Sequence, residues 1–313
     1  MKYRLTDETK NLGEVILHRI ECVNAFAGVE VGDKGGWIEK ESNLSQTGNA
    51  WVYDNAQVWG DAQVYGNAQV YGNAQMYGNA EVYGNAQVYG NAQVYGNARM
   101  YGNAEVYGNA EVYGNAQVYG NAEVCVNTKV YGNAWVYGNA QVCVNARVHG
   151  DAWVYGNAQV YGNAQVYDNA RVHGDAWVYD NARVHGDAWV CGNAQVYGNA
   201  EVYDNARVHG DAWVYGDAEV YGDAEVHGNA EVHGNAWVCG NAKISRNSDY
   251  IVFKNNFSSG RYFTWTRSNN MWTVGCFHGT GEKLIEKAKQ DNEDKTRRYA
   301  LYVKLVEDLQ KVE

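Results

Sequence analysis

Four copies of Arg-Val-His-Gly-Asp, at residues 147–151, 171–175, 183–187 and 207–211, carry much of what this chain has for chemistry. A histidine can serve as a general base, which requires a defined substrate pose and a tuned pKa. Four near-identical copies give no reason for one of them to be special, so no catalytic residue is assigned. Imidazole and thiolate are also the donors that zinc prefers, and Cys191 lies between His173 and His209 at equal spacings, with His227 following at the same interval. Indoles at Trp135, Trp153 and Trp189 alternate with guanidiniums at Arg171 and Arg207, a composition suited to cation–π contacts. The spacings between the four motif copies, 24, 12 and 24 residues, are all multiples of six.

Six is the period of everything around them. The Val position recurs thirty-three times, from Val52 to Ile244, with only Met76, Met100 and Ile244 departing from Val. An Ala position keeps step from Ala50 to Ala242, broken only by Thr128. Each unit reads x-Val-Tyr-Gly-Asn-Ala. In an extended chain Ala and Val, two apart, face one side while the residues flanking Val face the other. Gly-Asn then supplies a corner, because both residues visit the left-handed region readily. A helix is excluded by a Gly-Asn or Gly-Asp pair every six residues. One hexad cannot bury its own Val, so hexads must stack, and a short fixed period is the mark of a solenoid. Val and Ala columns leave no room for an internal pocket.

These hexads resemble the hexapeptide-repeat family over residues 44–248. The resemblance implies an all-β, left-handed parallel β-helix of triangular section with three hexads per coil, a hand that runs against the usual crossover rule. The 192 residues from Trp51 to Ala242 then make nearly eleven coils, a rod roughly 50 Å long at about 4.8 Å per coil. The stretch Gly35-Gly-Trp-Ile-Glu-Lys-Glu-Ser-Asn-Leu-Ser-Gln46, with Trp51-Val-Tyr-Asp-Asn-Ala56 after it, resembles the leading segment of bacterial hexapeptide-repeat proteins described as transferases. That likeness implies a bacterial or phage-borne origin and carries over no catalytic residue.

With three hexads per coil, residues 18 apart form columns. One reads Tyr65, Tyr83, Tyr101, Tyr119, Tyr137, Tyr155, His173, Cys191, His209, His227; the column beside it holds Trp135, Trp153, Arg171, Trp189 and Arg207. Ligands in a straight column cannot all converge on one tetrahedral ion, so no metal is expected and drift during repeat duplication is the preferred account. The Arg-Val-His-Gly-Asp copies fall on two faces and do not form one site. Trp135, Trp153, Arg171, His173, Trp189, Cys191, Arg207, His209 and His227 together make the candidate interaction patch.

The chain divides into a β cap at 1–44, the repeat at 45–248 and a small α+β module at 249–313. In the leading segment 14–23 reads as a strand. In the trailing one, strands at 250–253, 261–267 and 271–277 precede helices at 282–290 and about 293–312, where Tyr299, Tyr302, Leu305, Val306 and Leu309 form an apolar stripe. Exposed solenoid ends need covering, so both flanks are expected to cap the rod. Of the net charge of −11, the repeat carries 19 Asp and Glu against 8 Lys and Arg, which argues against backbone-driven nucleic-acid binding. No apolar run approaches a membrane span and the start lacks a signal-peptide core, so a cytoplasmic location is the default. Four of the six Cys, at 125, 143, 191 and 239, replace Tyr at the outward position, which does not suggest a disulfide framework.

Many members of the resembled family are acyltransferases that use a His in a cleft between neighbouring helices, often shaped by a loop extruded from the coil. This repeat extrudes no loop. The expected function is therefore a non-catalytic scaffold or interaction protein that presents Tyr, Trp and His ladders to a protein or glycan partner, or to a second copy of itself. Acyl transfer is the alternative. No cofactor is expected. Ice binding is weaker still, since faces of that kind use Thr ladders and this chain presents Tyr.

Overall fold

A computed structural model of the chain describes residues 1–257 and 260–312. After a hairpin of β1 (Tyr3–Leu12) and β2 (Val15–Cys22), strand β3 (Lys34–Ile38) leads into thirty-three strands of two or three residues, β4 (Trp51–Val52) to β36 (Lys243–Ile244). Each pairs in parallel with the strand 18 residues away: Gln87 lies beside Gln69 on one side and Glu105 on the other. Three parallel sheets result, eleven repeat strands each. Sheet 1 starts at Gln57 and is extended by β1–β3, sheet 2 starts at Trp51, and sheet 3 at Gln63. The molecule is thus a β-solenoid with a small C-terminal module of β37 (Tyr250–Lys254), β38 (Tyr262–Thr266), β39 (Met271–Val274), β40 (Phe277–Gly279), α1 (Gly281–Lys289) and α2 (Glu293–Gln310). No described helix is long and apolar enough to cross a membrane.

The interior is the pair of columns expected from the hexad. Every Ala from Ala50 to Ala242 and every Val-position residue from Val52 to Ile244 is buried, Met76 and Met100 included. Corners turn on Gly at positive φ, 70° at Gly66, where an added Cβ would come within 3.0 Å of the Gly84 amide in the next coil. Asp replaces Gly at 54, 168, 180 and 204, also at positive φ. There the carboxylate accepts a hydrogen bond from the next coil's Gly N–H, as Asp54 does from Gly72 at 3.1 Å, which offsets the cost of the left-handed backbone. The corner Asn does more than turn. Asn67 donates to Asn85, Asn85 to Asn103, Asn103 to Asn121 and Asn121 to Asn139 at 2.9–3.0 Å, an amide ladder of the kind that reinforces stacked identical strands.

Backbone polarity is biased one way: around the corners and at the strand ends most N–H groups donate to the carbonyls of the coil that follows, as Gln87 does to Ala104 at 2.9 Å, while a minority point back, as Asn145 does to Val126. The first coil is therefore left mainly with unpaired carbonyls and the last mainly with unpaired N–H groups, and the two flanks supply mostly opposite partners. At the start, Lys2 Nζ donates to Ala50 O at 2.7 Å and Asn43 Nδ2 to Ala62 O at 2.9 Å, while the Trp37 N–H reaches Ala56 O. Burial pulls the Lys2 ammonium down to about 8. At the finish, side-chain oxygens accept: Thr264 Oγ1 from Trp237 N–H, Ser268 Oγ from Lys243 N–H, Asn247 Oδ1 from Glu231 N–H and the Tyr250 hydroxyl from His233 N–H.

Three expectations are corrected. Cys125 and Cys143 form a disulfide, because identical outward positions in adjacent coils place their Cα atoms 4.7 Å apart, within the range a disulfide bridges. On α2, Leu305 and Leu309 face outward with Leu301, whereas Tyr299, Val303 and Val306 pack on the module's sheet. A fourth module strand, β40, pairs with β39 beyond the expected hairpin.

Candidate functional site

The outward columns obey one rule set by the lean of side chains between coils. The residue after Val reaches the residue 16 further on, which precedes Val in the next coil: the Tyr65 hydroxyl donates to Glu81, Tyr71 to Gln87 and Tyr89 to Glu105. Rings 18 apart lie flat on one another, with centroids 4.8 Å apart for Tyr65 and Tyr83. The ladder is half-buried, and burial raises the phenol of Tyr65, as of Tyr119, to about 12.

On sheet 3 this construction brings the candidate patch together. Trp135 stacks on Trp153 at 5.2 Å. Arg171 lies between Trp153 and Trp189, 5.2 and 5.0 Å from their rings, and Arg207 sits 5.4 Å from the far side of Trp189. Glu225 stands next in register to Arg207, and Lys243 closes on it at 3.3 Å. The neighbouring column continues Tyr137, Tyr155, His173, and His173 meets Trp189 edge-on at 6.3 Å. His209 stacks on His227 at 5.4 Å. Burial pushes the Cys191 thiol up and the His173 imidazolium down, so both are neutral at pH 7.

The four motif histidines separate into two pairs. His149 and His185 belong to sheet 1, where His149 lies between Tyr131 and Tyr167 and His185 between Tyr167 and Tyr203. His173 and His209 belong to sheet 3. They are not equivalent: His209 Nε2 is 2.8 Å from Glu225 Oε1, and that contact, with the Lys243 one, holds the Glu225 carboxyl below its ordinary value. The counterpart of Glu225 is Trp189 for His173 and Gln165 for His149. For His185 it is Glu201, which Arg183 engages at 2.9 Å. The signal was present as a Glu 16 residues after a His, but it needs the lean between coils to be read. Two further exposed indoles, Trp177 and Trp213, were also missed; they occupy sheet 2, edge-on to Tyr161 and Tyr197. Among the described residues no three His, Cys, Asp or Glu side chains gather as a metal cage.

Comparison with known proteins agrees with this construction. The family model described as YdcK beta-solenoid repeat matches nine overlapping segments, within residues 62–108, 158–192 and 194–216. A 61-residue stretch is 38% identical to a protein of Escherichia coli (strain K12) named uncharacterized acetyltransferase YdcK. That alignment covers 17% of this chain and 19% of the relative, so the chain matches only about a fifth of that protein's length. The chain is a β-solenoid repeat protein, and its repeats within those three stretches are similar to those the YdcK solenoid model describes.

Proposed function

We propose that the protein is a non-catalytic scaffold whose sheet 3 docks a macromolecular partner through its Trp-Arg-His columns. The observation that carries this is the unbroken stack Trp135, Trp153, Arg171, Trp189, Arg207, with each guanidinium held 5.0–5.4 Å from an indole. Trp and Arg dominate binding hot spots, and a pre-ordered stack loses little side-chain entropy on docking. A photo-crosslinker placed at Trp189 should capture a discrete protein or glycan in cells, and Arg171→Ala should abolish the capture while the rod stays folded.

One observation favours acyl transfer as a second reading: His209 alone of the motif histidines has a carboxylate 2.8 Å away whose other partner is a lysine, Lys243, and a partial relative carries an acetyltransferase name. A carboxylate that orients an imidazole is the arrangement a general base uses. Acetyl-CoA turnover with small amine or hydroxyl acceptors separates the readings. Turnover abolished by His209→Asn would overturn the scaffold.

A further inference from the structure

The C-terminal module does more than cover the last coil. Thr264, Ser268 and Tyr250 account for capping, yet the start of β38 extends past the rod's edge over sheet 1. There Glu219 and Trp237 stand side by side in register on the last two coils, with Asp217 and Asn235 at the corner next to them. Arg261 and Tyr262 form the opposite wall, and the cleft between measures about 450 Å³, a size usual for small-ligand sites. Among the repeat strands Trp237 is the only Trp in its column, whose other indole, Trp37 of β3, stands at the opposite end of the rod. The ten coils before it place Gln, Glu, Lys or Arg there, from Gln57 to Glu219. Among the repeat strands of sheet 1, an indole thus takes the place before Val only where the module overhangs it.

The lining selects among ligands. Two carboxylates, Asp217 and Glu219, face a guanidinium, so a cation meets Arg261 and an anion meets both carboxylates. An uncharged ligand rich in hydroxyls escapes both penalties and can donate to the carboxylates while accepting from Arg261 and Asn235. The carboxylates have capacity to spare. Asp217 accepts one bond at each oxygen, from Asn199 at 3.0 Å and Asn235 at 3.1 Å, and Glu219 accepts one from the Tyr203 hydroxyl at 3.0 Å, while a carboxylate has about four lone-pair sites. Trp237 and Tyr262 offer aromatic faces for the C–H side of a ring.

We propose that this cleft binds an uncharged sugar ring, stacked on Trp237 and held by its hydroxyls at Asp217, Glu219 and Arg261. It lies on a different sheet from the Trp-Arg-His columns and stands independently of the docking role assigned to them.

The full-length protein on a printed glycan array, followed by calorimetric titration with the bound saccharide, or with cellobiose, maltose and chitobiose in turn, tests this. Saturable binding is expected, weakened about tenfold or more by Trp237→Ala, weakened also by Glu219→Gln, largely kept by Trp237→Phe and unchanged by Trp189→Ala. Amide exchange at residues 231–243 reports whether the module stays seated. If Trp237→Ala unseats it, Tyr262→Ala and Glu219→Gln carry the test. No saturable glycan binding by the wild type overturns the proposal, as does binding that survives the cleft substitutions and is lost in Trp189→Ala.

Discussion

Val126 and Val144 hold left-handed backbone, with φ of 47° and 56°, at corners where other coils use Gly or Asp. A β-branched residue has no local means of offsetting that strain, and these two follow the disulfide-bonded Cys125 and Cys143 directly. Val126→Gly should therefore stabilise the protein by about 1 kcal/mol, the left-handed penalty less the added unfolded-state entropy of Gly, read as a higher urea midpoint. The ladder histidines give a second expectation. Burial lowers the pKa of His149, His173 and His185, so the stability they contribute is complete above the unfolded-state value near 6.5. It is lost as pH falls towards their folded values, and urea midpoints should drop between pH 7 and pH 5. Column membership of these residues was legible from the period. The disulfide was not, since a Cys in a Tyr column reads as substitution until adjacent copies are seen one strand spacing apart. Nor was the His209–Glu225 contact, which depends on side-chain lean.

The short strands need the flanking elements because the biased backbone polarity leaves mostly carbonyls unpaired at one rod end and mostly N–H groups at the other. Thr264→Val keeps the side chain's volume but removes the acceptor for Trp237 N–H. Leaving that donor unpaired should cost about 1–3 kcal/mol, visible as faster amide exchange confined to the final coil. That the flanks would be caps followed from the unpaired ends of any solenoid. Which atoms do the capping did not, because Thr264 and Ser268 are far from the rod in sequence and carry no local signature. The α2 stripe was right at Tyr299 and Val306, which are buried, and misread in part for a related reason: Leu305 and Leu309 fit an apolar period but face outward, and Val303 takes an inner place instead.

As a whole the molecule is nearly one-dimensional, each coil touching only its neighbours. Removing residues 87–104, one complete coil, should leave a folded rod shortened by about 4.8 Å, measurable by small-angle scattering. The tyrosine ladders set an alkaline limit on all coils together. Their phenols are raised above the ordinary value of 10, to about 12 at Tyr65, Tyr119, Tyr179 and Tyr215. Their contribution is therefore complete below pH 10 and is lost as pH rises through the folded values; denaturant midpoints should hold to pH 9 and fall by pH 12. The solenoid itself was readable from its unbroken period, whereas the overhang above Trp237 was not, because it depends on how two unlike elements meet.

The donor and acceptor ends of the rod carry one further meaning. Without caps, the bare N–H groups of the final coil in one molecule would match the bare carbonyls of the first coil in the next, coil for coil and with the same Val and Ala interior. Lys2 and Asn43 at one end, Thr264 and Ser268 at the other, occupy the groups through which such growth would run. They are chain terminators in the polymer chemist's sense, and the finite length of the protein rests on them as much as on the number of repeats.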